Sequence, residues 1–146
     1  MKIFLDANIL VAAAGSESGG SRYLWRVAEK DARWQLVTSA YAIAEARINV
    51  ATKLPAKREE FSALITSPLL TVVHPPSTGL IQHAHNLMPL KDAPILAAAL
   101  FCSAEALCTL DRKDFHTPKV KQQCQLWGLK IVLPKDLLED WRAKQG

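Results

Sequence analysis

Five short stretches of the chain are apolar and bounded by turn or breaker residues: Lys2–Leu5, Trp34–Val37, Leu69–Val73, Leu107–Leu110 and Lys130–Leu133. That pattern predicts five strands. Between them apolar positions recur at helical spacing. Ser21–Lys30 gathers Leu24, Trp25 and Ala28 on one side, Ser39 caps a run through Thr52, and Pro55–Thr66 has its own amphipathic pattern. Asp92 caps Ala93–Ala104, where Pro94 is tolerated because first-turn amides lack helical partners. Pro118–Trp127, closed by Gly128, and Pro134–Lys144 flank the last strand. Strands alternating with helices predict an α/β fold with a mainly parallel sheet, in which ligands collect beyond the carboxyl ends of the strands. Two predicted strands finish in an acid there: "KIFLD" in Asp6 and "ALCTLD" in Asp111.

Length and composition narrow the class without naming a chemistry. With 146 residues, 49% hydrophobic and 22% charged, the chain is expected to form one domain over 1–146 rather than a disordered or membrane-spanning segment. Its apolar runs are too short to span a bilayer, and the first is cut by Asp6 without a signal-peptide pattern, so a cytoplasmic location is expected. Cys102, Cys108 and Cys124 lack metal or disulfide spacing and read as buried or half-buried thiols. The net charge of +4 suits a polyanionic partner but is common elsewhere.

Taken singly, each acid has an ordinary explanation. Asp6 could make an Asx turn into a helix capped by Asn8, Asp92 is most simply an N-cap, Asp111 could be a turn former, and Asp114 fits a solvent-facing loop. Glu45 sits in "AYAIAEARI", where Tyr41, Ala44, Glu45 and Ile48 share a helix face expected to be buried; Asn49 is a possible hydrogen-bond donor to it, and a solvent-reaching rim position is the alternative. The set matters more than its members. If strand ends and helix starts converge, Asp6, Glu45, Asp92 and Asp111 repel one another in low dielectric unless a cation neutralises them. Oxygen-only donors favour Mg²⁺ or Mn²⁺ over zinc.

"FLDANIL", "AIAEAR", "KDAPILAAAL" and "CTLDRKDF", in this order, resemble PIN-domain ribonucleases, especially VapC-like toxins, over essentially the whole chain. The resemblance implies a three-layer α/β/α sandwich around a central five-stranded sheet and Mg²⁺- or Mn²⁺-dependent cleavage of RNA. It further implies a homodimer and an antitoxin whose C-terminal segment covers the acidic cleft. By matching position it assigns the catalytic and metal-binding acids to Asp6, Glu45, Asp92 and Asp111, with Asn8 and Thr109 as polar supports and Asp114 as an outer member.

Arg112 and Lys113 follow Asp111 directly and are candidates for positioning substrate phosphates, with a solvated turn as the plain alternative. Arg22, Arg26 and Lys30 form a basic stripe and Lys53, Lys57 and Arg58 a cluster, both readable as solvated faces; Trp25 and Trp34 fit the core better than base stacking. His74, His83, His85 and His116 form no nucleophile-activating arrangement and read as structural or surface residues. Two rival functions remain: a catalytically silent PIN-like module that binds RNA or protein, and a phosphoacceptor or phosphohydrolase domain with Asp6 as nucleophile.

Overall fold

The computed structural model describes residues 1–145. Its strands are β1 (Lys2–Leu5), β2 (Gln35–Ser39), β3 (Leu70–Val73), β4 (Ala106–Cys108) and β5 (Lys130–Val132). The helices are α1 (Ala7–Gly15), α2 (Gly20–Lys30), α3 (Ala40–Lys53), α4 (Arg58–Ile65), α5 (Thr78–His85), α6 (Ala93–Phe101), α7 (Pro118–Leu126) and α8 (Pro134–Gln145). All five predicted strands form, with ends shifted by up to two residues. The run Pro55–Thr66 divides into a 3₁₀ turn over Pro55–Lys57 followed by α4, and α5 is a further helix that carries His83 and His85.

Every strand pairing is parallel, in the order β3-β2-β1-β4-β5. Parallel neighbours joined by right-handed crossovers place α1–α4 on one face and α5–α7 on the other. The packing agrees: α1 lies against α2, α3 and α4, α5 lies against α6, and α8 returns to pack on α2. The result is a three-layer α/β/α sandwich. Because both sheet faces are covered, β1 is a continuous apolar run, and Ile3, Phe4 and Leu5 are fully buried. Helix α6, apolar all round, buries Ala93 and Ile95 through Ala99 while packing on β2, β4 and α5.

Chain direction across the sheet reverses at β1: β2 and β3 lie to one side, β4 and β5 to the other. The crevice between the carboxyl ends of β1 and β4 is therefore the switch point at which such sheets bind ligands. Register puts Leu5 opposite Cys108, so the residues that meet at the mouth of this crevice are Asp6 and Thr109. The fourth strand stops at Cys108, short of the expected Leu110, and Asp111 lies three residues beyond it instead of closing it. The ladder ends one residue after the strand, where the Thr109 amide donates to the Val132 carbonyl at 3.1 Å.

Candidate functional site

Asp6 is 5% exposed and caps α1, displacing Asn8 from the expected capping role. One carboxylate oxygen accepts the Ala7 amide at 2.6 Å; the other accepts the Thr109 hydroxyl at 2.7 Å and the Asn8 side-chain amide at 3.3 Å. Asn8 also donates to the Thr109 oxygen at 3.1 Å, and its carbonyl accepts the Leu110 amide at 3.0 Å. Thr109 and Asn8 thus tie the end of β1 to the end of β4 across 100 residues of sequence. Burial pushes Asp6 up to about 6; the Thr109 and Ala7 hydrogen bonds oppose the rise, and the charges of Glu45 and Asp111 add to it.

Asp111 is placed by two local bonds. Its amide donates to the Thr109 hydroxyl oxygen at 3.1 Å, and its carboxylate accepts the Asp114 amide at 3.0 Å. This Asx turn brings Asp114 back toward the crevice. Asp92 arrives from the α5–α7 side of the sheet, at the start of α6. It occupies the N-cap position, but its backbone is helical (φ −98°, ψ −20°) and its side chain accepts no amide of the helix. Its carboxylate instead meets Asp111 and Asp114, with one oxygen of each of the three within 4.8 Å of the others. Asp92 Oδ2 is buried and without a hydrogen-bond partner among the described residues. Burial, followed by a hydrogen bond to Asp114 that only the protonated acid can donate and by the Asp114 and Asp111 charges, pushes Asp92 up to about 7.

A carboxylate with one orphaned oxygen, set beside two further carboxylates, suits a hard divalent cation. The donor set is all oxygen. Asp92, Asp111 and Asp114 form the tight group, which gives Asp114 a place beside Asp92 that the sequence pattern reserved for Asp6 and Glu45.

Glu45 departs from its expected setting. Helix α3 buries Ala42, Ala46 and Val50 against the body of the protein, whereas Tyr41, Ala44, Glu45 and Ile48 face outward; Tyr41 is 43% and Ile48 66% exposed. The helix is flanked by α1, α4 and α6, so small alanines suffice for its packed side and the larger side chains turn to solvent. Asn49 donates to the Glu45 backbone carbonyl at 3.2 Å, not to its carboxylate. Glu45 still reaches the crevice electrostatically, since it raises both Asp6 and Tyr41.

Tyr41 is a site residue that the motifs did not single out. Its hydroxyl donates to the Lys91 carbonyl at 2.7 Å, anchoring the segment before Asp92 to the start of α3. Partial burial and the charges of Glu45, Asp92 and Asp6 raise its pKa, which places the phenol among three of the acids. The i, i+4 relation to Glu45 was the available signal. His116 Nε2 lies 2.7 Å from the Thr109 carbonyl and must carry the proton there, a structural role.

Arg112 and Lys113 are exposed beside Asp111, and neither enters an ion pair among the described residues. The other basic groups are partly occupied. Arg22 bonds Glu60 at 2.8 Å and the Ala13 carbonyl at 2.7 Å, Arg26 the Glu17 carbonyl, and Lys57 pairs with Glu60. Cys108 and Cys124 are buried, and burial pushes Cys124 up to about 11 and Cys108 higher still, so neither is a ready nucleophile.

No protein-family model matches the chain, and no curated relative does. Solved structures do. A structure of VapBC2 from Rickettsia felis, bound to a DNA fragment from their promoter, superposes at TM-score 0.66 with 17% identity over 91% of this chain and 98% of the other. VapC20 from Mycobacterium tuberculosis, a sarcin-ricin loop cleaving toxin, gives 0.57 with 16% identity over 78% and 93%. FitAcB from Neisseria gonorrhoeae gives 0.54 with 18% identity over 90% and 97%. The chain therefore has the PIN-domain fold of VapC toxins.

Proposed function

We propose that this PIN-fold chain is a metal-dependent endoribonuclease, the toxin of a toxin–antitoxin pair. The observation that carries the proposal is the Asp92 carboxylate, whose buried Oδ2 has no partner among the described residues, set beside Asp111 and Asp114 at the sheet's switch point. Likeness to VapC20 supports an RNA substrate, and likeness to VapBC2 supports an antitoxin partner. A homodimer is proposed on the family resemblance alone.

Asp92, Asp111 and Asp114 would hold the ion, with Asp6 and Glu45 adding negative potential from the β1 and α3 sides. Bound Mg²⁺ or Mn²⁺ supplies a water of lowered pKa and stabilises charge on the scissile phosphate. The chain's own part is positional. Thr109 and Asn8 keep Asp6 ionisable and oriented, the Asx turn fixes Asp111 against Asp114, and Tyr41 holds the segment that delivers Asp92. Exposed Arg112 and Lys113 attract the RNA backbone.

The same hydrogen bonds argue against a phosphoenzyme. An Asp6 carboxylate that is 5% exposed and held by Ala7, Thr109 and Asn8 is fixed as part of the scaffold and is poorly placed to attack a phosphate. Incubating end-labelled RNA with the protein in Mg²⁺, Mn²⁺ or EDTA separates the alternatives. Cleavage that needs metal and disappears in Asp92→Asn is expected. RNA retained intact but bound would instead mark a silent binding module, and label transferred to Asp6 a phosphoenzyme.

A further inference from the structure

We propose a second phosphate subsite where the N-termini of α2 and α8 meet, one that holds an RNA backbone phosphate adjacent to the cleaved one; only the identity of its ligand rests on the nuclease proposal. Gly20, Ser21, Arg112, Pro134 and Lys135 line a hollow of about 280 Å³, with Leu110 at its side. It adjoins the acids, because Leu110 and Arg112 flank Asp111 in the chain and the Leu110 amide is held by Asn8. The two helix starts are packed together: a Cβ on Gly20 would stand 3.8 Å from both Pro134 and Leu138.

Three features make the hollow anion-selective. The N-cap of the 11-residue α2 is Gly19, which has no side chain to satisfy the first-turn amides, so these remain available as donors. Ser21 is only 7% exposed, yet its hydroxyl makes no hydrogen bond among the described residues, and it lines this hollow. A phosphate oxygen entering the hollow can accept from it in place of solvent. Arg112 and Lys135 are exposed cations outside any ion pair among the described residues. The nearby acid on α8 points elsewhere: Asp136 accepts the Leu133 amide at 2.9 Å and faces a different cleft. Leu110, 41% exposed, offers an apolar surface for the adjoining sugar.

The test is a ¹⁵N amide titration of the full chain in EDTA, where no cleavage occurs, with tetrauridylate RNA and, separately, inorganic phosphate. The Gly20 and Ser21 amides should shift saturably with the RNA and more weakly with phosphate. Exposed Lys135→Glu should lower RNA affinity about tenfold, and Lys135→Ala should reduce the salt slope by about 0.7. Ser21→Ala, checked for folding by its melt, should weaken binding about threefold. RNA that binds without moving these amides, or binds equally well to Lys135→Glu, overturns the subsite. Shifts with phosphate but none with RNA overturn the assignment to RNA. Amide shifts with RNA that metal never cleaves would leave the subsite standing and remove the nuclease; metal-dependent cleavage with unchanged KM in Lys135→Glu would do the reverse.

Discussion

Asp6 and Asp92 both stand immediately before a helix, but only Asp6 caps one. Its carboxylate is surrounded by donors from Ala7, Thr109 and Asn8, whereas Asp92 forgoes its helix amides and leaves one oxygen buried with no donor. A side-chain N-cap is worth about 1 kcal/mol, so a helix that declines it is giving up local stability for something outside the helix. One acid is built into the scaffold and the other is held ready for a ligand. Both are raised in pKa by burial, but Asp6 is restrained by its bonds and Asp92 is raised further by its acidic neighbours.

Activity should not distinguish the two. Asp6→Asn and Asp92→Asn are each expected to lower metal-dependent RNA cleavage by at least about 10³-fold, measured on end-labelled substrate. Retention of more than a tenth of the rate in either would remove that acid from the machinery.

Metal should separate them. For the wild-type chain Mn²⁺ or Mg²⁺ at about 100 times its dissociation constant should stabilise the fold by about 2.7 kcal/mol, read as a rise in Tm by calorimetry. Asp92→Asn should abolish that rise, and Asp6→Asn should only reduce it. Equal loss in both variants would place Asp6 in direct contact with the ion.

Stability without metal should move in opposite directions. Asp6→Ala removes a cap and strands Thr109 and Asn8, a loss of about 1–2 kcal/mol in denaturant unfolding. Asp92→Asn removes a half-buried repulsive charge and supplies an N–H beside Asp114, so it should stabilise the metal-free protein. Destabilisation by Asp92→Asn would show that its carboxylate has a structural partner after all.

Acid titration sharpens the same contrast. Both folded-state pKa values lie above the ordinary 3.8, so the folded chain holds these protons more tightly than the unfolded one. The associated stability is fully present below about pH 4 and is lost as pH rises through about 6 for Asp6 and about 7 for Asp92. Asp31 and Glu60 are shifted the opposite way, held low by hydrogen bonds from Arg33 and Arg22. The metal-free Tm should fall across the range in which Asp6 and Asp92 titrate, and the upper part of the fall should vanish in Asp92→Asn; a Tm that climbs from pH 5 to 8 would contradict both assignments.

The smallest effect tests whether Asp92 acts through its helix. The far end of α6 closes with Ser103 at φ 57°, the Ala104 amide donating to the Ala99 carbonyl at 3.0 Å; the matching end of α7 uses Gly128 at φ 81°. Ser103→Gly should therefore stabilise by about 0.5–1 kcal/mol, with metal affinity unchanged by calorimetric titration. A change in metal affinity would mean that helix stability, not the carboxylate's setting, governs the site.

The strand–helix alternation, and with it the parallel sheet, was legible because each element carries its own periodicity: a continuous apolar run in β1, an all-apolar α6, breakers between them. Four acids in recognisable motifs pointed to the crevice for the same local reason. Which acids touch was not legible. The exposed face of α3 was misassigned because alanine and isoleucine look equally apolar in sequence, while packing against α1, α4 and α6 selected the smaller residues. Asp114 joins Asp92 only because an Asx turn folds one segment back and the switch in strand order brings the other across the sheet. Element type is decided by residues within a turn or two of one another, so the chain alone determines it. The distance between carboxylates on separate segments is set by strand order and helix packing, and only the assembled layers decide it.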